Sequence, residues 1–484
     1  MLRKTKIVAT LGPASSSEEM IARLITAGVN VVRLNFSHGT AEEHISRAEI
    51  VRNIALKLGR PVGVLCDLQG PKIRIGKFEL GKIILKTGDL FILDADCELG
   101  NQDKVGLDYK TLPQEVTEGV VLLLDDGRIT MQVDRIKGNQ IHCVILSGGV
   151  LSNNKGINRA GGGLSADALT LKDKEDLKTA VALEADYIAI SFPKSAKDIE
   201  QARALVKQAG GTASIVAKIE RAEAIDNLKE IIAVSDAIMV ARGDLGVEVG
   251  DAAVPGLQKR MIRMARAQNK LVITATQMME SMISSPIPTR AEVSDVANAV
   301  LDGTDAVMLS AETASGQYPL ETVKAVHRIC VEAEKEYEIA NVSQKRAEPH
   351  QQTDEAIAAA TIYVSKYLNV KAIAALTQSG NAAQWLSRAD SGAPIYALSP
   401  NKIARRKLTL HRNVFPYPIE HENKNRDEIL QEMEQVLLTN GAVATGDTVL
   451  FTFGEPIGSL GGTNTLKVVK VGEMTPADTT KPNI

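Results

Sequence analysis

Aromatic side chains make up only 3% of this chain of 484 residues, and there is a single tryptophan. Proteins that bind single-stranded nucleic acid stack its bases on aromatic rings along a basic groove. The net charge of −3 supplies no such basic surface overall. We therefore expect no nucleic-acid partner.

Cysteine and long apolar runs are scarce as well. The four cysteines show neither Cys-x-x-Cys nor Cys/His metal spacing; they are Cys66, Cys97, Cys143 and Cys330. This pattern argues against a disulfide scaffold or a zinc site and indicates a reducing, cytoplasmic location. No apolar run approaches the roughly 20 residues of a membrane span, and the amino terminus lacks the apolar segment of a secretory signal. We expect no membrane partner.

Short apolar runs alternate with amphipathic segments along most of the chain. Eight such runs read as strands buried on both faces: 6–12, 29–36, 61–68, 185–192, 213–220, 236–244, 270–277 and 305–313. Several of the segments between them open with Ser, Thr or Pro and close on Gly, which are helix start and stop signals. Eight such units predict a (β/α)8 TIM barrel.

Two stretches depart from this rhythm. Residues 71–168 show short alternating strands joined by Gly-Asp, Asp-Gly and Gly-Asn turns, which predict an inserted all-β domain with a hinge at Gly161–Gly163. After a polar linker, four further apolar runs alternate with helices and predict a C-terminal open α/β domain. We thus predict an α/β fold with a barrel of residues 1–70 and 169–342, the insertion, and a C-terminal domain of residues 343–484.

Polar side chains follow the apolar runs at the barrel end where catalytic groups stand. We expect them to converge on one rim: Arg33, Asn35, Ser37, His38, Asp67, Lys72, Arg74, Lys218, Glu220, Gly243, Asp244 and Thr276. Glu220 and Asp244 end adjacent strands and suit a hard divalent cation, although two solvated rim charges are the alternative. Lys218 shares a strand face with Glu220 and could neutralise a transferring phosphoryl group or pair with a neighbouring carboxylate.

The remaining signals are weaker by themselves. Arg33 and Arg74 could grip phosphate with their guanidinium groups, and the turn after Gly243 could offer backbone N–H groups to an anion. His38 fits a nucleotide contact or a loop cap equally well. No P-loop and no dinucleotide-binding glycine motif follows a strand. The residues alone indicate a metal-assisted enzyme acting on a small anionic substrate.

Longer motifs carry a specific resemblance. Seven segments resemble motifs of the pyruvate kinase family: TKIVATLGPAS (5–15), RLNFSHG (33–39), AKIERAEA (217–224), IMVARGDLGVE (238–248), ITATQMMESM (273–282), the stretch 288–313 and GGTNTLKV (461–468). The resemblance covers nearly the whole chain. It implies phosphoryl transfer from phosphoenolpyruvate to ADP, giving pyruvate and ATP in the last step of glycolysis.

The resemblance also implies roles for single residues. Lys218 resembles the lysine beside the transition state, Arg33 the arginine on the transferred phosphate, and Glu220 and Asp244 the Mg²⁺ ligands, with Mn²⁺ a substitute. Gly243, Asp244 and Thr276 resemble the cradle for substrate carboxylate and metal, and Thr276 is associated with enolate protonation, whose proton donor stays open. The nucleotide contacts implied are Asn35, Ser37, His38, Arg74 and Lys155. Lys155 lies in the insertion of residues 71–168, which the resemblance implies is a β-barrel that closes over the catalytic barrel as a lid.

One segment departs from the pattern of many family members, which need K⁺ and read DTKGPEIRT here. This chain reads DLQGPKIRI over 67–75, so that Lys72 replaces a glutamate. The set Asn35, Ser37, Asp67 and Lys72 resembles the branch that works without K⁺. Our hypothesis is that the Lys72 ammonium supplies the monovalent charge, since both are monocations; the alternative is a surface lysine with K⁺ still bound.

The resemblance implies that residues 343–484 form an effector-binding domain, because the C-terminal domain of the family usually carries an allosteric phosphate site. Thr377, Ser379, Gly380 and Asn381 follow an apolar run and precede a helix, as an anion loop does, and residues 454–464 could close over it. We expect a sugar phosphate or AMP there, a plain turn being the alternative; the resemblance also implies a homotetramer. Two other functions stay open: another metal-enolate barrel enzyme, of aldolase or phosphonomutase type, and an inactive phosphometabolite sensor.

Overall fold

The computed structural model describes residues 2–340, 352–420, 424–457 and 462–473, apart from the side chains of 338–340. The strands are β1 (Lys6–Thr10), β2 (Val31–Asn35), β3 (Gly63–Asp67), β4 (Lys77–Phe78), β5 (Lys82–Leu85), β6 (Leu90–Asp94), β7 (Leu99–Gly100), β8 (Lys104–Gly106), β9 (Val121–Leu124), β10 (Ile129–Lys137), β11 (Gln140–Ser147), β12 (Gly149–Ser152), β13 (Ile157–Arg159), β14 (Tyr187–Ile190), β15 (Ser214–Ile219), β16 (Ala237–Ala241), β17 (Leu271–Ala275), β18 (Ala306–Leu309), β19 (Ala372–Leu376), β20 (Ile395–Ser399), β21 (Val414–Pro418), β22 (Thr448–Gly454) and β23 (Thr463–Lys470).

The helices are α1 (Glu18–Ala27), α2 (Ala41–Lys57), α3 (Leu112–Glu115), α4 (Leu171–Ala182), α5 (Ala196–Gln208), α6 (Ala222–Asp226), α7 (Leu228–Val234), α8 (Arg242–Val249), α9 (Val254–Ala267), α10 (Arg290–Leu301), α11 (Ala311–Ala314), α12 (Pro319–Ala340), α13 (Thr353–Tyr367), α14 (Asn381–Arg388), α15 (Lys402–Leu408) and α16 (Arg426–Thr439), with 3-10 turns at Asp251–Ala253 and Glu280–Ile283. Several begin at reciprocal caps between Thr or Ser and an acidic residue three positions on, such as Thr170 with Asp173.

Eight parallel strands close into a barrel in the order β1-β18-β17-β16-β15-β14-β3-β2. Each coincides with one of the eight apolar runs, so the predicted TIM barrel is confirmed. Every residue of β1, β3, β16 and β17 is buried, because helices cover the outside and side chains fill the inside.

The segment between β3 and β14 forms separate sheets over its own apolar core. Six strands pair in the order β13-β9-β10-β11-β6-β8, while β12 pairs with β5 and β4 pairs with β7. The described strands therefore make one six-stranded sheet with two small ones, whereas we predicted a β-barrel. Gly148 marks where the chain leaves the large sheet: a Cβ there would lie 2.3 Å from the Leu85 carbonyl oxygen, so only glycine allows this crossing onto β5.

The C-terminal part is an open α/β sheet, as predicted, in the order β21-β20-β19-β22-β23. Strand β21 was not among the predicted strands, because VFPYP contains two prolines. Proline cannot donate to a ladder, and β21 lies at the sheet edge, where that is tolerated.

The amino-terminal ends of the barrel strands rest on this C-terminal sheet. Lys6 Nζ donates to the Val414 carbonyl oxygen at 2.6 Å, and the Tyr187 hydroxyl donates to that of Lys407 at 2.6 Å. The carboxyl ends of the strands point away from this junction. The predicted boundary at 342/343 and part of the 454–464 loop lie outside the described residues, and in the described part no helix is long and apolar enough to cross a membrane.

Candidate active site

Lys218 sits at the carboxyl end of β15, among acidic groups. Its Nζ lies 2.9 Å from Glu220 Oε1 and 3.2 Å from Asp67 Oδ1, and it donates to Ser191 Oγ at 2.7 Å. Burial alone would lower the pKa of Lys218, but Asp67 and Glu220 outweigh it and the pKa is raised. The lysine is therefore held charged. The structure contains the salt bridge to neighbouring carboxylates that was one of our two interpretations, and the side chain, 12% exposed, reaches the rim. The role of Lys218 in neutralising a phosphoryl group stays a prediction.

Asp67 joins this lysine to Arg33. Asp67 Oδ2 lies 2.7 Å from both Nε and Nη2 of Arg33, and Arg33 Nη1 donates to Thr10 Oγ1 at 3.1 Å. Burial would raise the pKa of Asp67, yet Lys218 and Arg33 hold it below its ordinary value. One buried carboxylate thus fixes two cations side by side at the barrel mouth, an arrangement suited to an anion.

Glu220 and Asp244 form the acidic part of the rim. Phe192, whose φ is +54°, donates its backbone N–H to Glu220 Oε2 at 2.9 Å. Burial, and then the charge of Asp244, raise the pKa of Glu220 against the opposing effect of Lys218. A divalent cation would remove this repulsion, so the two carboxylates fit a Mg²⁺ site. Within the described residues no three His, Cys, Asp or Glu side chains could hold a metal together, so substrate and water would complete its shell.

Thr276 follows β17 with an unusual backbone. Its φ is +67°, and that of Gln277 is +54°. Thr276 Oγ1 accepts from the Gly243 N–H at 2.9 Å and donates to the Ala275 carbonyl oxygen at 2.7 Å. The structure therefore brings Gly243 and Thr276 together, beside Asp244 in the first turn of α8.

Three residues at this rim were missed from the sequence. Arg242 Nη2 donates to the Thr276 carbonyl oxygen at 2.6 Å, and its Nη1 donates to Asp295 Oδ1 at 2.7 Å, which holds the Thr276 turn in place. Ser191 and Phe192 hold Lys218 and Glu220. The only signal was that these residues end their apolar runs, since nothing in the sequence predicts the left-handed turn at Phe192.

The implied nucleotide contacts fall into two groups. On the barrel, Asn35 Oδ1 accepts from the Ser37 N–H at 3.2 Å, and His38 is exposed beside them. On the inserted segment, Arg74 Nη1 donates to the Asn154 carbonyl oxygen at 3.0 Å, and Lys155 Nζ lies 2.6 Å from Asp125 Oδ1. No contact joins the two groups in the part of the chain described.

Lys72, the residue of our K⁺ hypothesis, contacts the rim at Asp244. Its Nζ is 3.2 Å from Asp244 Oδ1. The hypothesis groups it with Asn35, Ser37 and Asp67, and the two oxygens of Asp67 contact Arg33 and Lys218. The role of the Lys72 ammonium in place of K⁺ stays a prediction.

In the predicted effector loop, one residue closes the loop and the other three line a cavity. Thr377 Oγ1 accepts from the Gly380 N–H at 2.9 Å, so Thr377 closes the loop itself. Ser379, Gly380 and Asn381 line a cavity of about 430 Å³ between the C-terminal sheet and the barrel, whose wall also includes Lys270 and Lys407.

Two family models match the chain. The model for the pyruvate kinase barrel domain matches residues 2–323, and that for the pyruvate kinase alpha/beta domain matches residues 355–469. The chain belongs to the pyruvate kinase family.

Individual pyruvate kinases are similar over nearly the full length. That of Buchnera aphidicola subsp. Acyrthosiphon pisum is 52% identical over 97% of this chain and 99% of its own. That of Haemophilus influenzae is 53% identical over 94% and 96%. Pyruvate kinase II of Salmonella typhimurium is 51% identical over 97% and 99%.

Membership of the pyruvate kinase family makes the chain an enzyme, a phosphotransferase that acts on phosphoenolpyruvate and ADP. It does not favour an aldolase, a phosphonomutase or an inactive sensor. The family generally requires Mg²⁺, which agrees with the acidic pair at the rim.

Proposed function

We propose that this chain transfers the phosphoryl group of phosphoenolpyruvate to ADP with Mg²⁺, through Lys218, Arg33, Glu220, Asp244 and Thr276. The observation that carries the proposal is the position of two fixed cations beside two carboxylates. Phosphoryl transfer needs in-line positioning and neutralisation of charge on three equatorial oxygens. Arg33 and Lys218 supply the positive charge without reorganisation, because Asp67 already orients them.

The acidic pair would hold the divalent ion. Glu220 and Asp244 would bind Mg²⁺, or Mn²⁺ in its place, which neutralises substrate and phosphoryl oxygens when bound. The Gly243 N–H and the Thr276 hydroxyl lie beside them. They would orient the substrate carboxylate by exchanging their present hydrogen bonds, from Gly243 to Thr276 Oγ1 at 2.9 Å and from Thr276 to the Ala275 carbonyl oxygen at 2.7 Å, for bonds to the substrate. Transfer leaves an enolate, which takes up a proton at carbon near Thr276.

The nucleotide would lie between the barrel and the inserted segment. Asn35, Ser37 and His38 would meet it from the barrel, and Arg74 and Lys155 from the insertion of residues 71–168. Closure of this domain as a lid would exclude water from the transferring group. Release of Lys155 from Asp125, now 2.6 Å away, would make its ammonium available to phosphate.

Pyruvate formation from phosphoenolpyruvate, ADP and Mg²⁺ tests the assignment. We expect Lys218→Met to lower kcat at least about 100-fold, the size of loss when one oriented electrostatic group is removed. Lys178→Met, on an exposed helix face, is the matched control and should stay near the parent rate. Equal kcat in Lys218→Met and Lys178→Met would remove Lys218 from the mechanism.

Binding of Mg²⁺ by Glu220 and Asp244 can be tested through thermal stability, without measuring turnover. Mg²⁺ should raise the melting temperature of the parent protein. The increase in melting temperature should be smaller in Glu220→Gln and in Asp244→Asn. Asp251→Asn, an exposed residue beyond α8, is the control. An unchanged Mg²⁺ effect in both site variants would place the ion elsewhere.

We propose further that the reaction needs no added K⁺. The Lys72 ammonium, 3.2 Å from Asp244, adds a fixed positive charge at the metal side of the site rather than beside Asp67. Full activity is expected in buffer free of K⁺, Na⁺ and NH₄⁺, and Lys72→Glu should make activity depend on K⁺. Lys77→Glu, on the inserted sheets, is the control. A parent enzyme that gains its activity only with K⁺ would refute this role of Lys72.

Regulation would act through the C-terminal domain, predicted as residues 343–484. Ser379, Gly380 and Asn381 would bind the phosphate of a sugar phosphate or AMP, with Lys270 and Lys407 on the facing wall. Glucose 6-phosphate and AMP, added singly, should lower the KM for phosphoenolpyruvate, and Ser379→Ala should weaken the effect, whereas Asn440→Ala should not. If neither compound acts, or Ser379→Ala responds as the parent does, the loop is a plain turn.

We also propose a cytoplasmic homotetramer. Light scattering should give four times the chain mass of 51.9 kDa. A monomer in solution would contradict this.

A further inference from the structure

The chain returns from the inserted sheets to the barrel through three consecutive glycines. Gly161, Gly162 and Gly163 all have left-handed backbones, with φ of 78°, 74° and 92°. Two glutamates of the barrel rim meet this turn, Glu223 of α6 through its carboxylate and Glu248 of α8 through its backbone carbonyl oxygen. Neither has a part in the chemistry described above.

The contacts are specific. The Gly163 N–H donates to Glu223 Oε1, and the Gly161 N–H donates to the Glu248 carbonyl oxygen at 3.1 Å. A Cβ on Gly162 would lie 2.7 Å from Glu223 Oε2, so the turn approaches the carboxylate as closely as a glycine permits. The Glu223 carboxylate thus lies directly under the peptide backbone of the turn.

The Glu248 carboxylate joins the two helices. Its Oε2 accepts from the Ala222 N–H at 2.9 Å, which links the end of α8 to the start of α6. Burial, and then the charge of Glu223, raise the pKa of Glu248 to about 7. Arg221, next to Ala222, donates from Nη1 to the Leu164 carbonyl oxygen at 3.2 Å, just beyond the turn.

The proposed metal ligands lie on or next to the same two helices, since Asp244 is in α8 and Glu220 is two residues before α6. Glu223 follows Glu220 by three residues, and Glu248 follows Asp244 by about one helical turn. At the other crossing into the insertion, Lys72 contacts Asp244 directly. Displacement of the glycine turn therefore acts on the short segments that hold Glu220 and Asp244.

We propose that Glu223 is a positioning residue whose carboxylate, together with the backbone carbonyl of Glu248, seats the Gly161–Gly163 turn and so couples the placement of the inserted domain to the metal-binding carboxylates. Only the kinetic consequence of this proposal rests on the proposed function. The seat itself is a physical contact and can be measured without turnover.

Hydrogen exchange, followed by mass spectrometry on peptides covering 159–165, tests the seat. Glu223→Ala removes the acceptor of the Gly163 N–H, and we expect exchange there to rise at least about 10-fold, the loss of roughly one hydrogen bond. Asp226→Ala, exposed on the same helix, is the matched control. Unchanged exchange in Glu223→Ala would overturn the proposal.

Kinetics test the coupling. We expect Glu223→Ala to lower kcat about 10-fold and raise the KM for ADP, with a smaller change in the KM for phosphoenolpyruvate. Glu223→Gln, which keeps an acceptor oxygen, should recover most of kcat, whereas a merely structural defect would lower the melting temperature without this KM split. Unaltered kinetics with altered exchange would refute the coupling; an inactive parent enzyme would refute the proposed function and leave the exchange result standing.

Gly162 provides the same test from the opposite side. Gly162→Ala should perturb exchange and kcat as Glu223→Ala does, and the double variant should be less impaired than the sum of the two because both disrupt one contact. Gly138→Ala, in a left-handed hairpin turn with open space around it, controls for backbone strain alone. Strict additivity would show that Gly162 and Glu223 act independently.

Discussion

The ammonium of Lys218 lies 3.2 Å from Oδ1 of Asp67, although the two strands that carry them are separated in the barrel by β14. The other oxygen of Asp67 is held by Arg33. Two cations therefore face the barrel mouth from one buried carboxylate, and the field that an anionic substrate meets exists before it binds. Without Asp67, the two positive charges would repel each other at short range.

Asp67→Asn tests the charge of Asp67 with little change in packing, because asparagine has nearly the same shape as aspartate. We expect kcat to fall at least about 100-fold. The free energy of unfolding should fall by about 3 kcal/mol, since breaking a buried pair leaves uncompensated charge. Steady-state pyruvate formation and urea unfolding measure the two. Asp134→Asn, on an exposed strand of the insertion, is the control; a site variant as active as this control would contradict the argument.

Thr276 combines a β-branched side chain with a φ of +67°, a conformation that costs on the order of 1–3 kcal/mol. Thr276→Ser keeps the hydroxyl that accepts from the Gly243 N–H, so kcat should stay within a few-fold of the parent. Thr276→Ala removes it, and kcat should drop about 10-fold or more. Parallel kcat measurements decide this, and equal losses in both variants would show that the methyl group matters rather than the hydroxyl.

The barrel was predictable because each strand is a short apolar run and two-sided burial leaves little ambiguity. Strand β21 was not, since its prolines are permitted only by an edge position that the sequence does not reveal. That Lys218 and Glu220 lie on one face followed from strand alternation, and a salt bridge with a neighbouring carboxylate was the alternative that we left open. The predictions that the structure confirms are those that depend on the local spacing of residues.

Contacts between segments that are distant in the chain could not be predicted from the sequence. The approach of Asp67 to Lys218 depends on strand order around the closed barrel. The contact of the Lys72 ammonium with Asp244 joins residues that lie 172 positions apart in the chain. The left-handed turns at Phe192 and Thr276 are imposed by their surroundings, and neither residue type favours them.

Asp186 connects the barrel to the C-terminal domain. It is fully buried; Oδ2 accepts from Arg52 Nη2 at 2.9 Å and from the Val64 N–H at 2.8 Å, while Oδ1 accepts from Arg406 Nε at 2.8 Å. Asp186→Ala should cost about 3–5 kcal/mol of unfolding free energy, because two arginines and an amide lose their acceptor.

Calorimetry checks the Asp186 prediction. The neighbouring Glu184 contacts Arg406 at 3.3 Å but is 73% exposed. Glu184→Ala should therefore cost no more than about 1 kcal/mol. Similar losses in the two variants would mean that the Asp186 network contributes little to joining the domains.

His411 should make stability fall in mild acid. Burial, helped by Arg388 and Lys6 and opposed by Asp305, lowers its pKa to about 4 from an ordinary 6.5. The unfolded chain therefore takes up a proton first as pH falls. The stabilisation is complete above about pH 6.5 and is lost progressively toward pH 4, up to about 3 kcal/mol in all.

Urea unfolding of the parent and His411→Gln at about pH 7 and about pH 5 tests this. Whatever the variant loses at neutral pH, its unfolding free energy should decline less between the two pH values, because glutamine takes up no proton. The exposed His38→Gln controls for removal of an imidazole as such. Should His411→Gln show the same decline as the parent and the control, another group at the junction, not His411, would carry the acid sensitivity.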